Sequence, residues 1–243
     1  MDILVTWIAA PGRQRPQRAT IAGVQPAGVI FDMDGVLVDS EQLWDQIRRD
    51  VVAEFGGTWG ADSTAAMMGM STPEWSRYMV ETLGVPLGQQ ELADTVIDRM
   101  AEHYVGEPPL LPDAATALRE IAAEYPTAIA SSAPPRIIRA FLESTDLLDT
   151  VRCTVSSEEV GAGKPAPDVY LEAARGLGVP ARECAAVEDS SNGLRAAAAA
   201  GTTVFAVPNP HFPPAEDAMA PVRAVLGGVG EFPRALRQLA EQS

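Results

Sequence analysis

Cysteine and histidine are scarce in this chain, with two of each in 243 residues. Cys153 and Cys184 cannot build a disulfide framework or a thiolate metal cage on their own. Both abut apolar runs, so they read as small buried residues in a reducing, cytoplasmic setting. Positive charge is also short: 18 Lys and Arg stand against 33 Asp and Glu, a formal net charge of −15. That balance leaves no basic footprint for nucleic acid or an anionic membrane surface. No run reaches the roughly 20 apolar residues of a membrane span. The opening "MDILVTWIAAPGRQRPQRA" has an apolar patch, but an acid precedes it and arginines follow it, the reverse of a secretory signal. Residues 1–26 are expected to form a loose extension.

What the chain does have is enough apolar residue for a core, 47% against 21% charged. The stretch "GVIFDMDGVLVDS" at 28–40 poses the functional question. An apolar strand ends in Asp32 and Asp34, which strand periodicity would point to the same side. Two carboxylates that close repel unless a positive charge lies between them, which calls for a metal ion.

The segment "DSEQLWDQIRRDVVAEF" then reads as a helix capped by Asp39, with Leu43, Ile47, Val51 and Phe55 four residues apart. Helical periodicity runs on to about residue 106, broken by "GGTWG", "GMSTP" and "GVPLG", with no strand. From Leu110 strands and helices alternate: strands "TAIASS", "RCTVSS", "CAAVEDS", "TVFAVP" and one near 222–226, with helices near 113–124, 135–143, 168–176 and 191–200 and a terminal helix. Such alternation predicts an α/β fold, a Rossmann-like parallel sheet covered by helices on both faces. The helical stretch 41–108 interrupts it as an inserted α-helical cap domain, leaving 27–40 and 109–243 as the catalytic core.

Ligands of open parallel sheets bind outside the carboxyl ends of the strands. There the chain offers Asp32 and Asp34, Ser131, Lys164 in "GAGKP", and the pair Glu188 and Asp189. Hard carboxylate oxygens suit Mg²⁺. Asp32 and Asp189 would hold it through side chains, Asp34 through its backbone carbonyl, and Glu188 directly or through water. Asp32 is placed to attack phosphorus and form an aspartyl phosphate. Asp34 would protonate the leaving oxygen and then activate water. Lys164, the Ser131 hydroxyl and backbone amides around Gly35 would stabilise charge on the transferred group. The pattern is no calcium loop, since the further acidic positions are missing, and "GAGKP" is no P-loop, since Pro165 stands where Ser or Thr is needed.

"FDMDGVLVDS", "IASS", "GKPAPDVY" and "VEDSSNGLRAAAAAG" together resemble the four ordered motifs of the haloacid dehalogenase-like phosphohydrolase superfamily. The likeness is nearest to its subfamily with a small helical cap, which includes sugar-phosphate phosphatases and beta-phosphoglucomutase. The resemblance implies a Mg²⁺-dependent phosphatase acting on a small phosphorylated metabolite such as a sugar phosphate, and nothing in the sequence demands more than a monomer. Beta-phosphoglucomutase-like isomerisation is the alternative, but that mutase carries a histidine and an arginine in its cap where this chain has Trp44 and Thr72. A non-enzymatic phosphoacceptor module needs neither Asp34 nor a cap. Haloacid dehalogenation does not pair its nucleophile with an acid two residues on. Neither His103 nor His211 belongs to a motif.

Overall fold

A computed structural model describes residues 25–67, 70–105, 108–210 and 213–241. The expected loose extension therefore lies outside the described residues except for its end. Gln25 and Pro26 are already tied down: Pro26 is buried and the Gln25 side-chain amide donates to the Tyr125 hydroxyl.

The chain runs β1 (Gly28–Phe31), α1 (Glu41–Glu54), α2 (Ser63–Met67), α3 (Thr72–Glu81), α4 (Gln89–Tyr104), α5 (Ala114–Ala122), β2 (Thr127–Ser131) and α6 (Pro135–Ser144). It continues with β3 (Cys153–Ser156), α7 (Asp168–Leu177), β4 (Cys184–Glu188), α8 (Ser191–Ala199), β5 (Thr203–Ala206), α9 (Glu216–Met219), β6 (Ala224–Val225) and α10 (Phe232–Glu241). The strands form one six-stranded parallel sheet in the order β3-β2-β1-β4-β5-β6. The order reverses beside β1, so the crevice at its carboxyl end lies at the topological switch point.

Both faces of the sheet are covered, and strand alternation shows how. Val29 and Phe31 enter the apolar cluster that holds α5, α6 and α10. Ile30 faces the other cluster, built with α7 and α8. A strand with two buried faces reads as an unbroken apolar run, which is what "GVIF" is.

Helices α1 to α4 sit between β1 and β2 in sequence, with no strand among the described residues of that stretch. Their apolar residues, including Ile47, Val51, Trp75, Met79 and Met100, join the same cluster as the first sheet face. Tyr104 meets Phe141 of α6 edge-on, with ring centroids 6.3 Å apart. The insert enters and leaves at one place: the Asp39 amide donates to the Pro109 carbonyl at 2.8 Å, and the Leu111 amide to that of Leu37 at 3.0 Å.

Two local expectations change. Ser40, not Asp39, occupies the N-cap position of α1, and its hydroxyl caps nothing; it donates to Asp34 instead. Strand β1 stops at Phe31, so the period of two does not carry through Asp32 and Asp34, which turn to different partners.

Candidate active site

Lys164 organises the centre. It lies in the loop after β3, and its Nζ donates to Asp32 Oδ1 at 2.6 Å, Glu188 Oε1 at 2.6 Å and the Ala130 carbonyl at 3.1 Å. An ammonium has three protons, and these contacts use all of them. Both ion pairs are buried, with side-chain exposures of 6% or less. The two carboxylates hold the Lys164 pKa above its usual value despite burial, so it stays charged. Its Nζ also stands 5.2 Å from the Tyr170 ring centroid.

Glu188 is held by more donors than Lys164. Oε1 also accepts from the Tyr170 hydroxyl at 2.9 Å. Oε2 accepts from the amides of Asp189 and Ser190, at 3.0 and 3.1 Å, and from the Ser190 hydroxyl at 3.1 Å. Those donors fill the roughly four lone-pair directions of a carboxylate, so Glu188 is a fixed post for Lys164. Gly193, at the start of α8, permits this: a β-carbon there would overlap the Glu188 carboxylate. Gly193→Ala is expected to cost roughly 1–3 kcal/mol through overpacking, read as a lower urea midpoint with an unchanged slope. An unaltered midpoint would show that the carboxylate has room to retreat.

Asp34 is served by a different set. Ser40 donates to one of its oxygens, and the Ser131 hydroxyl donates to the other at 3.1 Å. Burial raises the Asp34 pKa, while Ser40, Ser131, the Lys164 charge and the nearby Trp44 indole pull it back. Ser131 also accepts from the Ala133 amide at 2.9 Å, so its single proton is spent on Asp34 in this arrangement. The Gly35 amide is engaged too, donating to the Val38 carbonyl at 2.8 Å.

Asp189 completes the cluster. It is buried and makes no hydrogen bond through its carboxylate among the described residues. Gly35, with φ +80, lets the loop pass so close that a β-carbon would overlap that carboxylate. Ligand atoms of Asp32, Glu188 and Asp189 all lie within 4.8 Å of one another. Burial and then mutual repulsion push Asp32 and Asp189 well above the ordinary carboxylate range. Three carboxylates against one ammonium leave two negative charges. A divalent, oxygen-loving cation fits both that deficit and the unpartnered Asp189.

The sequence comparisons agree with this geometry. A haloacid dehalogenase-like hydrolase family model matches residues 26–201, more than half of the chain. A probable pseudouridine-5'-phosphatase of Drosophila melanogaster is 31% identical over 210 residues, covering 84% of this chain and 90% of that protein. Hexitol phosphatase B of Escherichia coli K12 is 34% identical over 192 residues, covering 76% of this chain and 85% of its own length.

The chain belongs to the haloacid dehalogenase-like hydrolases.

It is thus an enzyme, and the family's architecture is also found by shape. The structure of CbbY from Rhodobacter sphaeroides in complex with phosphate superposes with a TM-score of 0.76 at 24% identity, covering 85% of this chain and 96% of that one. All six residues singled out from the sequence of this hydrolase stand at the carboxyl end of its sheet. Four partners went unassigned, although three of them lie inside the quoted motifs: Ser40, Tyr170 and Ser190. Each is a hydroxyl aimed at a site carboxylate, which spacing alone cannot reveal. The fourth, Arg48 of α1, faces Trp44 and Trp75 with its guanidinium carbon 5.1 Å from each ring centroid. His103 lines a cavity of about 410 Å³ with Ile47, Asp50, Arg99 and Glu102, where none of the six stands. His211 lies outside the described residues. No helix among the described residues is long and apolar enough to cross a membrane.

Proposed function

We propose that this hydrolase is a Mg²⁺-dependent phosphatase of small phosphorylated metabolites, sugar phosphates foremost, working through an aspartyl phosphate on Asp32. The observation that carries the reading is the division of labour between two carboxylates. Asp32 is gripped by a charged lysine and belongs to the carboxylate cluster, while Asp34 stands outside that cluster, cradled by two hydroxyls. A carboxylate set beside a fixed cation and a metal-binding cluster suits the nucleophile, and one held by hydroxyl donors beside it suits the acid and base. The activities named for the two relatives, on pseudouridine 5'-phosphate and on hexitol phosphates, support the substrate class.

Asp32 and Asp189 would hold the cation through their side chains, with the Asp34 carbonyl as a further ligand and Glu188 orienting the group through Lys164. When bound, the cation offsets carboxylate and phosphate charge so that the two can approach. An Asp32 oxygen bonds to phosphorus as the bond to the ester oxygen breaks, and Asp34 gives that oxygen its proton. Water then bonds to phosphorus, its proton passes to Asp34, and the phosphorus–Asp32 bond breaks. The sum is ester plus water giving alcohol plus phosphate. Lys164 and Ser131 reach the transferred group by trading contacts they now make with Asp32 and Asp34. The helices between β1 and β2 act as the cap, closing over substrate on the paired linkers at 37–39 and 109–111. The two free cysteines fit a cytoplasmic setting.

The test is a mass balance with purified protein over sugar, hexitol and nucleoside monophosphates and beta-glucose 1-phosphate, with Mg²⁺ or chelator. Stoichiometric phosphate release that needs Mg²⁺ is expected. Conversion of beta-glucose 1-phosphate to glucose 6-phosphate without free phosphate would instead mean an isomerase.

Ser40→Ala probes the acid. The Ser40 bond lowers the Asp34 pKa, so removing it raises that pKa and keeps the proton on Asp34 to higher pH. The alkaline limb of kcat/KM is therefore expected to move upward, since capture of substrate needs Asp34 protonated. A limb that stays or moves downward would assign the titration to another group.

A further inference from the structure

Arg48 holds a charge that no ion pair among the described residues balances. Its Nε is shut off from solvent and has no hydrogen-bond partner, although the residue as a whole is half-buried. No carboxylate lies within ion-pair distance of it among the described residues. Burial pulls its pKa down to about 10, with Asp45 and Asp34 acting the other way. An isolated, partly desolvated guanidinium is costly unless an anion meets it.

Its place suggests what that anion is. Trp44 and Arg48 are four apart on α1 and share a face. Trp44 approaches Asp34 closely enough to lower its pKa, and Arg48 feels the Asp34 charge. The Trp44 and Trp75 centroids are 6.4 Å apart, and each is 5.1 Å from the guanidinium carbon. The guanidinium thus rests in the notch between two indoles and is not clamped between stacked faces. Cation–π contact steadies it there, and its two terminal nitrogens, which make no hydrogen bond among the described residues, are the donors that could meet a planar or tetrahedral oxyanion. Neither Trp44 nor Thr72, the positions compared with the mutase cap, carries a charge. Arg48 supplies one from a turn further along α1 than Trp44.

We propose that Arg48 is a specificity residue that binds a second oxyanion of the substrate, remote from the phosphate that reacts at Asp32. The proposal rests on the phosphatase reading and narrows it to phosphate esters carrying a distal carboxylate or a distal phosphate. Trp44, the half-buried indole of that notch, would pack against the carbon chain between the two ends, with the buried Trp75 behind it.

The experiment compares three phosphate esters of similar length: a hexitol phosphate with a neutral far end, a phosphorylated sugar acid, and a sugar bisphosphate. Each is measured with Mg²⁺ on wild type, Arg48→Gln and Arg48→Lys, with p-nitrophenyl phosphate as a general phosphatase control. Wild type is expected to favour one oxyanion-bearing ester over the neutral one in kcat/KM, and which of the two identifies the group. Arg48→Gln is expected to reduce that preference on the order of 10²-fold, chiefly through KM. Arg48→Lys, which keeps the charge and loses the planar fork, should reduce it less, and it carries the test if Arg48→Gln melts early. A wild type without preference, or a preference untouched by either variant, overturns the proposal while leaving the phosphatase reading intact. A wild type that hydrolyses nothing, the control included, overturns both.

Discussion

Asp32→Asn is expected to abolish phosphate release, by about 10⁴-fold or more in kcat, and to leave the protein at least as stable at neutral pH without metal. The two halves have separate causes. An amide cannot form the acyl phosphate, so the covalent route closes. Stability follows from the charge state. Burial and Glu188 raise the Asp32 pKa above 3.8, with Lys164 pulling it back only in part. Below the unfolded value the carboxyl is protonated in both states and its contribution is fully present. As pH climbs through the raised folded value, the unfolded chain releases the proton more readily and that contribution is lost. Wild type should therefore lose stability relative to Asp32→Asn as pH rises from about 4. Mg²⁺ should reverse the order, stabilising wild type more than the variant and more at neutral pH than near pH 5, because protons and cation compete for the same oxygens. Melting curves across pH with and without Mg²⁺ check this. A variant that melts well below wild type in metal-free neutral buffer would contradict the charge assignment.

Lys164→Met is expected to cost about 3–5 kcal/mol of folding stability, the penalty for stripping a buried carboxylate pair of its counter-ion. Asp32 and Glu188 would face each other with no cation between them, and the Ala130 carbonyl would lose a donor. Activity should fall about 10²–10³-fold or more even where the variant stays folded, as when one preorganised electrostatic contact is removed. The double variant Lys164→Met with Glu188→Gln should recover part of the stability, since one of the two stranded charges is gone, but none of the activity. Urea midpoints for the two single variants and the pair form a cycle that measures the coupling. A wild-type midpoint for Lys164→Met would mean that the ion pairs contribute nothing to the fold.

Most of this architecture could be read from the chain because the signals are strong and local. "GVIF", "TAIAS" and "CAAVE" are apolar runs too short for helices and bounded by polar residues, and each proved a strand buried along its length. The residues beyond them had to fall at one end of a parallel sheet, so Asp32, Ser131 and Glu188 could be grouped without knowing a distance. Other features were not readable because they depend on side-chain direction over long sequence separations. Tyr170 reaches Glu188 across 18 positions and Lys164 reaches Asp32 across 132. The cap is expected at Asp39, and Ser40, which takes the position instead, uses its hydroxyl for a tertiary bond to Asp34. The sequence also could not show that Ser131, Lys164 and the Gly35 amide already spend their donors on protein acceptors. Nothing in "DQIRRD" distinguishes Arg48 from Arg49, because the contact that does so comes from Trp75, 27 residues on.

The claim at the centre is a covalent bond from phosphorus to Asp32. The measurement that reaches it most directly is reductive trapping during turnover with Mg²⁺ and a substrate that releases phosphate, followed by mass analysis of the peptide spanning Asp32. An acyl phosphate is reduced by borohydride where a free carboxylate is not, so side-chain reduction at position 32 is expected, dependent on substrate and absent in Asp32→Asn. Active enzyme that turns over under the same quench with position 32 always unmodified, and with modification instead at Asp34 or nowhere, would contradict the account.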